Sequence, residues 1–162
     1  MDAIDKAFNI FFDGKIKEAK EFTKRLLKHR KKDPRLWLLK SLIDREEGMI
    51  EDALESVDRA IELKPNYVEA WIFKGIILRL LDQYEEAIRA FEEAMKIQLN
   101  EEGYEDYELL IEEARTYIMM GDKRKALEIL EKVSEINPED DDLKELLGGL
   151  SIEEKGDRFE RR

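Results

Sequence analysis

The sequence predicts an all-α protein: a right-handed α-α superhelix, or solenoid, of about four helix pairs followed by a C-terminal capping helix. Three observations predict it. The first is a fixed period, because Trp37 precedes Trp71 by 34 residues, and Ala19, Ala53 and Ala87 follow one another at the same interval. The second is apolar spacing of i, i+3, i+4 and i+7, which is typical of amphipathic helices. The third is that glycine or proline separates the periodic segments.

The stretch from residue 68 to residue 97 shows the repeat unit most fully. One face of its first helix carries a small residue between two large ones, and its second helix carries an aromatic residue between two small ones. Those residues are Trp71, Gly75 and Leu78, then Ala87, Phe91 and Ala94. Small residues on facing helices let the two backbones approach closely. The pattern resembles the tetratricopeptide repeat, which implies a protein-interaction scaffold or adaptor that holds a partner's peptide or helix in a concave groove.

The first repeat spans about residues 1–33. Gly14 is expected to end its first helix, because glycine readily adopts the left-handed conformation. Thr23 stands where the family prefers an aromatic residue, so the match here is partial. The second helix ends in a basic run, Lys28–Lys32, and cations near a helix C-terminus interact favourably with its dipole. A nucleic-acid patch is the alternative, but the run has no interleaved aromatic residues.

The second repeat spans about residues 34–67 and the third about residues 68–101. Asp33-Pro34 is expected to begin the second repeat, since aspartate caps helices and proline suits the first helical position. The first helix of the third repeat is apolar almost all round, so we expect it to be buried on several sides. Leu99 stands in place of the family's closing proline, so the second helix of this repeat is expected to run on.

The fourth repeat, about residues 107–140, comes late in the chain. Ala126 follows its counterpart in the third repeat by 39 residues rather than 34, which places an insertion at about residues 102–106. Two interpretations stay open. The insertion is either a longer connection or added helical turn, or a loop that displays Tyr104 and Tyr107 at the rim of a binding surface.

A final helix, about residues 141–155, is expected to cap the open end of the array, since its leucines form one apolar stripe. Gly148 and Gly149 should weaken it by about 1 kcal/mol each relative to alanine. The acids at 139–142 lack the alternating spacing of a calcium loop, and acids at a helix start are the simpler interpretation. The tail, residues 156–162, is expected to fray.

Composition favours a single repeat domain over residues 1–162 that stays in the cytoplasm. The chain has no cysteine, which excludes disulfide and thiol chemistry. It has no run of about 18 uncharged apolar residues, which argues against a membrane span. The N-terminal segment carries acids where a signal peptide carries bases. Few Gln, Asn and His beside abundant Glu, Lys and Arg are typical of thermophilic proteins.

No enzyme signature is found. His29 is the only histidine, cysteine is absent and serine occurs four times, so nucleophile–base pairs are scarce. Neither a Gly-rich phosphate loop nor a metal-ligand spacing occurs. We therefore expect no catalytic residue, no cofactor and no metal.

The net charge of −11 is unevenly placed. Residues 1–40 carry 12 Lys and Arg against 6 Asp and Glu, whereas the remainder carries 17 against 34. Solvated helix faces that keep the protein in solution are the favoured interpretation. The alternative is a basic head and an acidic tail that stack head to tail or attract two different partners.

The resemblance implies that the first helix of each repeat lines the groove. The groove face lies about 100° round these helices from the face that carries Trp71. The expected groove residues are Phe8 in the first repeat, Arg35, Leu38, Leu42 and Arg45 in the second, Glu69, Ile72, Ile76 and Arg79 in the third, and Ile111, Arg115 and Ile118 in the fourth.

This apolar floor suits an amphipathic helix or an apolar peptide of a partner protein, with the arginines orienting acidic groups on it. Chaperone-binding members of the family place Lys and Asn in slots that are apolar here, so that activity is not expected. In the alternative, adjacent first helices touch and bury the floor. The alternative is favoured for Leu42 and Ile76, and the groove for Ile72 and Arg79.

Self-association is the second functional hypothesis. The first helix is rich in Phe and Ile, and an exposed apolar end marks a contact surface. A homodimer through residues 1–22, or a swapped C-terminal helix, would cover it. RNA binding is a third hypothesis, which the acidic balance and the paired alanine positions oppose. We expect no nucleic-acid or membrane partner.

Overall fold

The computed structural model describes residues 2–104 and 106–160, with side chains up to Ser151. The described residues form α-helices and no β-strand, which confirms the all-α prediction. The helices are α1 (Ala3–Phe12), α2 (Ile16–Leu27), α3 (Pro34–Glu46), α4 (Ile50–Leu63), α5 (Val68–Leu80), α6 (Tyr84–Glu102), α7 (Tyr107–Met120), α8 (Lys123–Ile136) and α9 (Asp141–Glu160).

The chain divides into two compact units, Met1–Ile97 and Gln98–Arg162, and the division falls inside α6. In the first unit, α1 contacts α2, α2 contacts α3, α3 contacts α4 and α4 contacts α5, while α1 also contacts α3. In the second unit, α7 contacts α8, and α9 contacts both. Contacts between sequence neighbours and next neighbours are those of stacked helix pairs, the predicted solenoid fold.

The 34-residue period has a structural counterpart in the two tryptophans. The Trp37 indole donates its N–H to the backbone carbonyl of Lys31 at 2.7 Å. The Trp71 indole does the same to the carbonyl of Pro65 at 2.8 Å. Each tryptophan therefore ties the start of a first helix to the connection before it, and the half-buried ring satisfies its only donor.

The expected helix boundaries of the first two repeats are observed. Gly14 and Gly48 follow α1 and α3 with φ of 77° and 78°, a conformation that glycine adopts without strain. Asp33 caps α3 through a 3.1 Å bond from the Arg35 backbone N–H to its carboxylate, and Pro34 is the first helical residue. Local sequence signals therefore fix where these helices begin and end.

Helices α5 and α6 of the third repeat approach each other closely at Gly75. A Cβ added there would lie 2.6 Å from the Phe91 ring, and Phe91 is almost completely buried. Ser41 takes the place of Gly75 one repeat earlier. It is also buried, and its hydroxyl donates to the Ala53 carbonyl at 2.6 Å. Small residues at this position let α3 contact α4, and let α5 approach α6.

Helix α6 runs to Glu102, so the second helix of the third repeat continues past Leu99 as expected. Gly103, with φ of 80°, ends the helix. The predicted insertion therefore begins at the last residue of α6 and continues into the connection to α7. Tyr104 is exposed in this connection, Glu105 lies outside the described residues, and a role at a binding rim stays a prediction.

Helix α9 packs against α7 and α8 within the second unit, and its Leu143 and Leu150 are both buried. The Asp140 carboxylate caps its start by accepting the Leu143 backbone N–H at 3.0 Å. The helix continues to Glu160, five residues beyond the expected end at 155. The expected tail therefore overlaps the helix, its fraying stays a prediction, and residues 161 and 162 lie outside the described chain.

Gly75→Ala is expected to lower the free energy of unfolding by about 1–3 kcal/mol, because the new methyl group overlaps the Phe91 ring. Urea unfolding followed by circular dichroism measures it. Gly148→Ala is the matched control in a helix where a Cβ meets no atom within 4 Å, and it should stabilise by up to about 1 kcal/mol. Equal losses for both variants would contradict the packing argument.

Candidate functional site

A cleft of about 430 Å³ lies across α1, α3 and α5 in the first unit. These are the first helices of three successive helix pairs. The cleft is lined by Phe8, Phe12, Leu38, Leu42, Tyr67, Glu69, Ile72 and Phe73. Five of the predicted groove residues meet here, namely Phe8, Leu38, Leu42, Glu69 and Ile72.

Helical spacing explains why these side chains share one surface. On α3, Leu38 and Leu42 are four residues apart and therefore lie on one face. On α1, Phe8 and Phe12 are related in the same way, and their ring centroids are 6.2 Å apart. The apolar faces of these helices line the cleft together with Ile72 and Phe73 of α5.

Exposure differs sharply along the cleft. Phe12 is 72% exposed, the largest value among the exposed apolar side chains of the described chain. Phe8, Leu42 and Ile72 are half-buried. Leu38 is only 6% exposed and belongs to the hydrophobic core around α4 and α5. The floor of the cleft is therefore partly core and partly surface. Leu38 is core, whereas Leu42, for which burial was favoured, is half-buried, so the choice between groove and buried floor stays a prediction.

Arg35, predicted to face the groove, is held by three carboxylates of the chain itself. It donates to Asp2 at 2.8 Å, to Asp33 at 3.3 Å and to Asp5 at 3.5 Å. These bonds tie the N-terminal turn of α1 to that of α3. The pKa of the Arg35 guanidinium is raised, first by hydrogen bonding to Asp33 and then by Asp2.

Asp2 is the N-cap of α1 and accepts the backbone N–H groups of Ile4 and Asp5, each at 2.8 Å. Its pKa is lowered to about 2, chiefly by the backbone N–H of Asp5 and then by the Arg35 guanidinium. Both donors stabilise the carboxylate form. The Asp2 carboxyl group is therefore ionised throughout the physiological pH range.

The other predicted arginines also contact the chain. Arg45 stacks on the Phe73 ring at 4.9 Å and bonds Glu46 at 2.6 Å, and Arg79 lies 5.9 Å from the Phe91 ring. In the second unit, Arg115 bonds Asp142 at 2.6 Å. That they orient acidic groups of a ligand stays a prediction, and such a ligand would compete with these contacts.

The remaining predicted groove residues do not line the cleft. Ile76 on α5 is half-buried and packs against the core cluster that includes Phe73 and Ile77. In the second unit, Ile111 is 3% exposed and Ile118 is half-buried. Ile111 therefore contributes to the core of that unit.

Three residues of the cleft were absent from the predicted groove: Phe12, Tyr67 and Phe73. Phe12 lies four residues after Phe8, so helical spacing could have identified it. Phe73 lies beside Ile72 in an almost wholly apolar helix, where spacing does not single out one face. Tyr67 precedes α5, so helical spacing gave no signal for it. Burial raises the pKa of the Tyr67 hydroxyl to about 12, and the charge of Glu69 raises it further.

None of the helices in the described chain is both long enough and apolar enough to span a membrane. Within residues 2–104 and 106–151, whose side chains are described, the structure brings together no group of three or more Asp, Glu or His side chains able to hold a metal ion.

Two models of the tetratricopeptide repeat match the chain, at residues 34–67 and 66–139, and together they span about two thirds of it. No curated protein matches the chain. The first helix pair and α9 lie outside the matched residues.

Solved structures share the fold. MamA is 25% identical with a TM-score of 0.76, and the match covers 96% of this chain and 86% of MamA. A chain in the crystal structure of the APC/C hetero-tetramer Cut9–Hcn1 is 19% identical, with a TM-score of 0.80. The match covers 90% of this chain but only 28% of the length of the matched chain. YrrB, described as a TPR protein with an unusual peptide-binding site, is 21% identical with a TM-score of 0.64, over 78% of this chain and 62% of YrrB.

The Asp2 carboxyl is expected to titrate near pH 2, and Arg35→Gln should raise its pKa while leaving it below the ordinary value of 3.8. The rise is partial because the backbone N–H of Asp5 remains. Since the folded pKa is depressed, the stability that this group contributes is present above pH 3.8 and is lost as the pH falls towards 2.

Carbon-13 NMR of the carboxyl groups measures this titration in the full chain. Arg45→Gln is the matched control, because its guanidinium bonds Glu46 instead, and it should leave the Asp2 midpoint unchanged. An unaltered Asp2 midpoint in Arg35→Gln would contradict the proposed network.

Proposed function

The chain belongs to the tetratricopeptide repeat family, whose members are generally protein-interaction scaffolds, and from this premise we propose that it binds an apolar segment of a partner protein in the cleft across α1, α3 and α5. One observation carries the proposal. Three successive first helices contribute to a single cleft whose lining is apolar except for Glu69 and the Tyr67 hydroxyl, and an aromatic residue stands exposed in it.

Exposure of Phe12 is the strongest support for an occupant. Fully burying a Phe side chain stabilises a complex by about 1.5–3 kcal/mol, and large aromatic residues often provide most of the binding energy at interfaces. Half-buried Phe8, Leu42 and Ile72 extend the apolar surface beside it. An amphipathic helix or extended peptide with an apolar stripe fits this surface as a helix-in-groove contact.

Charge at the cleft favours a particular kind of segment. Glu69 is exposed and is the only carboxylate in the lining of the cleft. Arg35 and Arg45 lie in contacts with acids or a ring of the chain itself. A partner segment with a lysine or arginine beside its apolar stripe therefore complements the cleft better than an acidic one.

The similar structures support this use of the fold. The YrrB structure is described as having a peptide-binding site, and the Cut9 structure is of a hetero-tetramer with Hcn1. A protein or peptide partner for this chain is the corresponding proposal. We further propose that the chain acts in the cytoplasm as a non-catalytic adaptor, without a cofactor and without nucleic acid, which its composition supports.

Self-association is the second candidate, and the same exposed Phe12 favours it. Its ring contacts the rings of Phe8 and Phe11, with centroids 6.2 and 5.4 Å away, so the N-terminal helix presents an aromatic cluster that a second copy could cover. Exchange of α9 between copies is the other route. Sedimentation velocity over a range of protein concentrations distinguishes self-association from partner binding, because a strict monomer at every concentration excludes strong self-association.

Ile72→Glu is expected to weaken partner binding by at least about tenfold, because a carboxylate in the apolar cleft would lose its hydration on binding and would lie beside Glu69. Capture from a lysate of the source organism measures retention by the wild type and the variant. The retained protein is identified by mass spectrometry and its affinity is then measured by calorimetry.

Leu80→Glu is the matched control. It lies on the same helix, is 53% exposed and does not line the cleft, so its binding should equal that of the wild type. Circular dichroism checks that both variants fold. Retention of the same partner by Ile72→Glu with unchanged affinity would contradict binding in the cleft.

A further inference from the structure

The apolar cleft has one polar end, which lies on α5 and is formed by Tyr67 and Glu69. Tyr67 immediately precedes α5, and Glu69 lies in the first turn of that helix. The other end of the cleft lies on α1 and carries the rings of Phe8 and Phe12. A few polar groups in an otherwise apolar site fix the orientation of what binds there, so the cleft has a direction.

Tyr67 presents an unpaired hydroxyl at this end. The residue is 8% exposed and packs in the core cluster that includes Leu38 and Phe73, so its ring is held in place. Its hydroxyl makes no hydrogen bond to a group of the described chain. Among the described side chains, the polar atom that is both cut off from solvent and unbonded is Thr23 Oγ1, so the unbonded Tyr67 oxygen is accessible from the cleft.

The corresponding residues of the neighbouring repeats are used differently. Asp33 lies 34 residues before Tyr67, and its carboxylate accepts the Arg35 backbone N–H at the start of α3. Asp106 does the same for the Glu108 backbone N–H at the start of α7. The Tyr67 side chain does not cap α5, so its hydroxyl remains available to a group from outside the helix.

Glu69 is the charged partner of this hydroxyl in the cleft. It is exposed, and it makes no hydrogen bond or ion pair within the residues that the structure describes. The pKa of the Tyr67 hydroxyl is raised first by burial and then by the charge of Glu69, ahead of the effects of Arg35 and Asp33. The carboxylate therefore lies near the hydroxyl, which stays protonated at neutral pH.

Carboxylates outnumber cations around this end of the cleft. The acids are Asp2, Asp5, Asp33 and Glu69, and the cations are Arg35 and Lys64. Arg35 is already bonded to three of the acids, and the Lys64 ammonium lies over the Tyr67 ring, 4.7 Å from its centroid. Glu69 is left without a counter-ion, so a cation that arrives with a partner is attracted to it.

We propose that Tyr67 and Glu69 form a subsite for the side chain of a lysine or arginine in the bound segment. The cation donates hydrogen bonds to the Glu69 carboxylate and to the Tyr67 hydroxyl oxygen, while an apolar anchor of the same segment covers Phe8 and Phe12. This inference rests on the proposed binding of a partner segment in the cleft. It adds the residues that recognise the cation and the direction in which the segment lies.

The size of the cleft sets the interval between the two features of the segment. Helix α1 contacts α3, and Arg45 of α3 stacks on Phe73 of α5. Packed helices lie about 8–10 Å apart, so the two ends of the cleft are roughly 16–20 Å apart. That distance corresponds to about 11–13 residues of helix or about five or six residues of extended chain. The basic residue should therefore occur at one fixed interval from the apolar anchor.

The probe is a phage-displayed library of random peptides about 16 residues long, which accommodates either conformation. It is selected on the full wild-type chain at about 0.15 M salt, where distant exposed charges are largely screened. We expect enrichment of lysine or arginine at a fixed interval from an aromatic or aliphatic residue. Selection on Glu69→Gln should keep the apolar residue and lose the basic one.

Glu85→Gln is the matched control for the selection. Glu85 is also an exposed acid in the first turn of a helix of the first unit, and it does not line the cleft. This variant lowers the net negative charge by the same amount, so it should select the same peptides as the wild type. Loss of the basic residue in both variants would show attraction to the overall charge and overturn the subsite.

Phe12→Ala separates the subsite from the cleft, because it removes the most exposed apolar side chain and leaves the core intact. Selected peptides that lack a basic residue but bind Phe12→Ala more weakly than the wild type would overturn the subsite and leave the proposed function standing. Peptides that bind Phe12→Ala as tightly as the wild type, or no enrichment at all, would contradict the proposed function and the subsite together.

Calorimetry with one selected peptide tests the two residues. The peptide is made with lysine or with norleucine, which has a similar length and no charge, at the enriched basic position. Norleucine should bind the wild type about tenfold more weakly, and this difference should fall to about twofold or less in Glu69→Gln. An undiminished difference in Glu69→Gln would overturn its assignment.

Tyr67→Phe keeps the ring in the core and removes only the hydroxyl. It should weaken the lysine peptide by about threefold and leave the norleucine peptide unchanged. Equal loss for both peptides would show a structural role alone, and no loss for either would show that the hydroxyl is unused; each result would overturn the assignment of Tyr67. Circular dichroism checks that every variant folds.

Discussion

The contact on which the third helix pair depends is the approach of Gly75 on α5 to the Phe91 ring. The ring occupies the space that any side chain at position 75 would need, since an added Cβ would lie 2.6 Å from it. Ser41 occupies the corresponding position one repeat earlier, and its hydroxyl donates a hydrogen bond to the Ala53 carbonyl. The apolar cleft of the first unit lies on another face of the first helices, which carries Leu38, Leu42 and Ile72.

Two arginines near the cleft contact groups of the chain itself. Arg35 connects the starts of α1 and α3 through Asp2, Asp5 and Asp33, so the helix that carries Phe8 and Phe12 is fixed against α3 by charge as well as by packing. Arg45 covers the Phe73 ring at one side of the cleft. These pairs lie beside the apolar surface of the cleft, which is the surface proposed for the partner.

Much of the fold could be predicted from the sequence because its signals are local. The 34-residue period, the cap at Asp33 and the glycine after α1 each depend on a few neighbouring residues. The site was harder to predict. Helical spacing gives the face on which Ile72 or Leu38 lies, but burial depends on contacts with other helices, and Leu38 proved to belong to the core.

Partners of charged groups were the least predictable feature. No spacing rule shows that Arg35 would meet Asp2 and Asp5, which are about 30 residues earlier in the chain. The same holds for Tyr67, which enters the cleft from a connection rather than from a helix.

The most direct test of the cleft as the binding surface is site-specific photo-crosslinking. A benzophenone side chain replaces Phe12 in the full chain, and the same group at the exposed Leu80 is the control. Irradiation in cells of the source organism should join position 12, but not position 80, to one partner protein. Crosslinks from both positions to the same set of proteins, or from position 12 only to a second copy of this chain, would contradict the account.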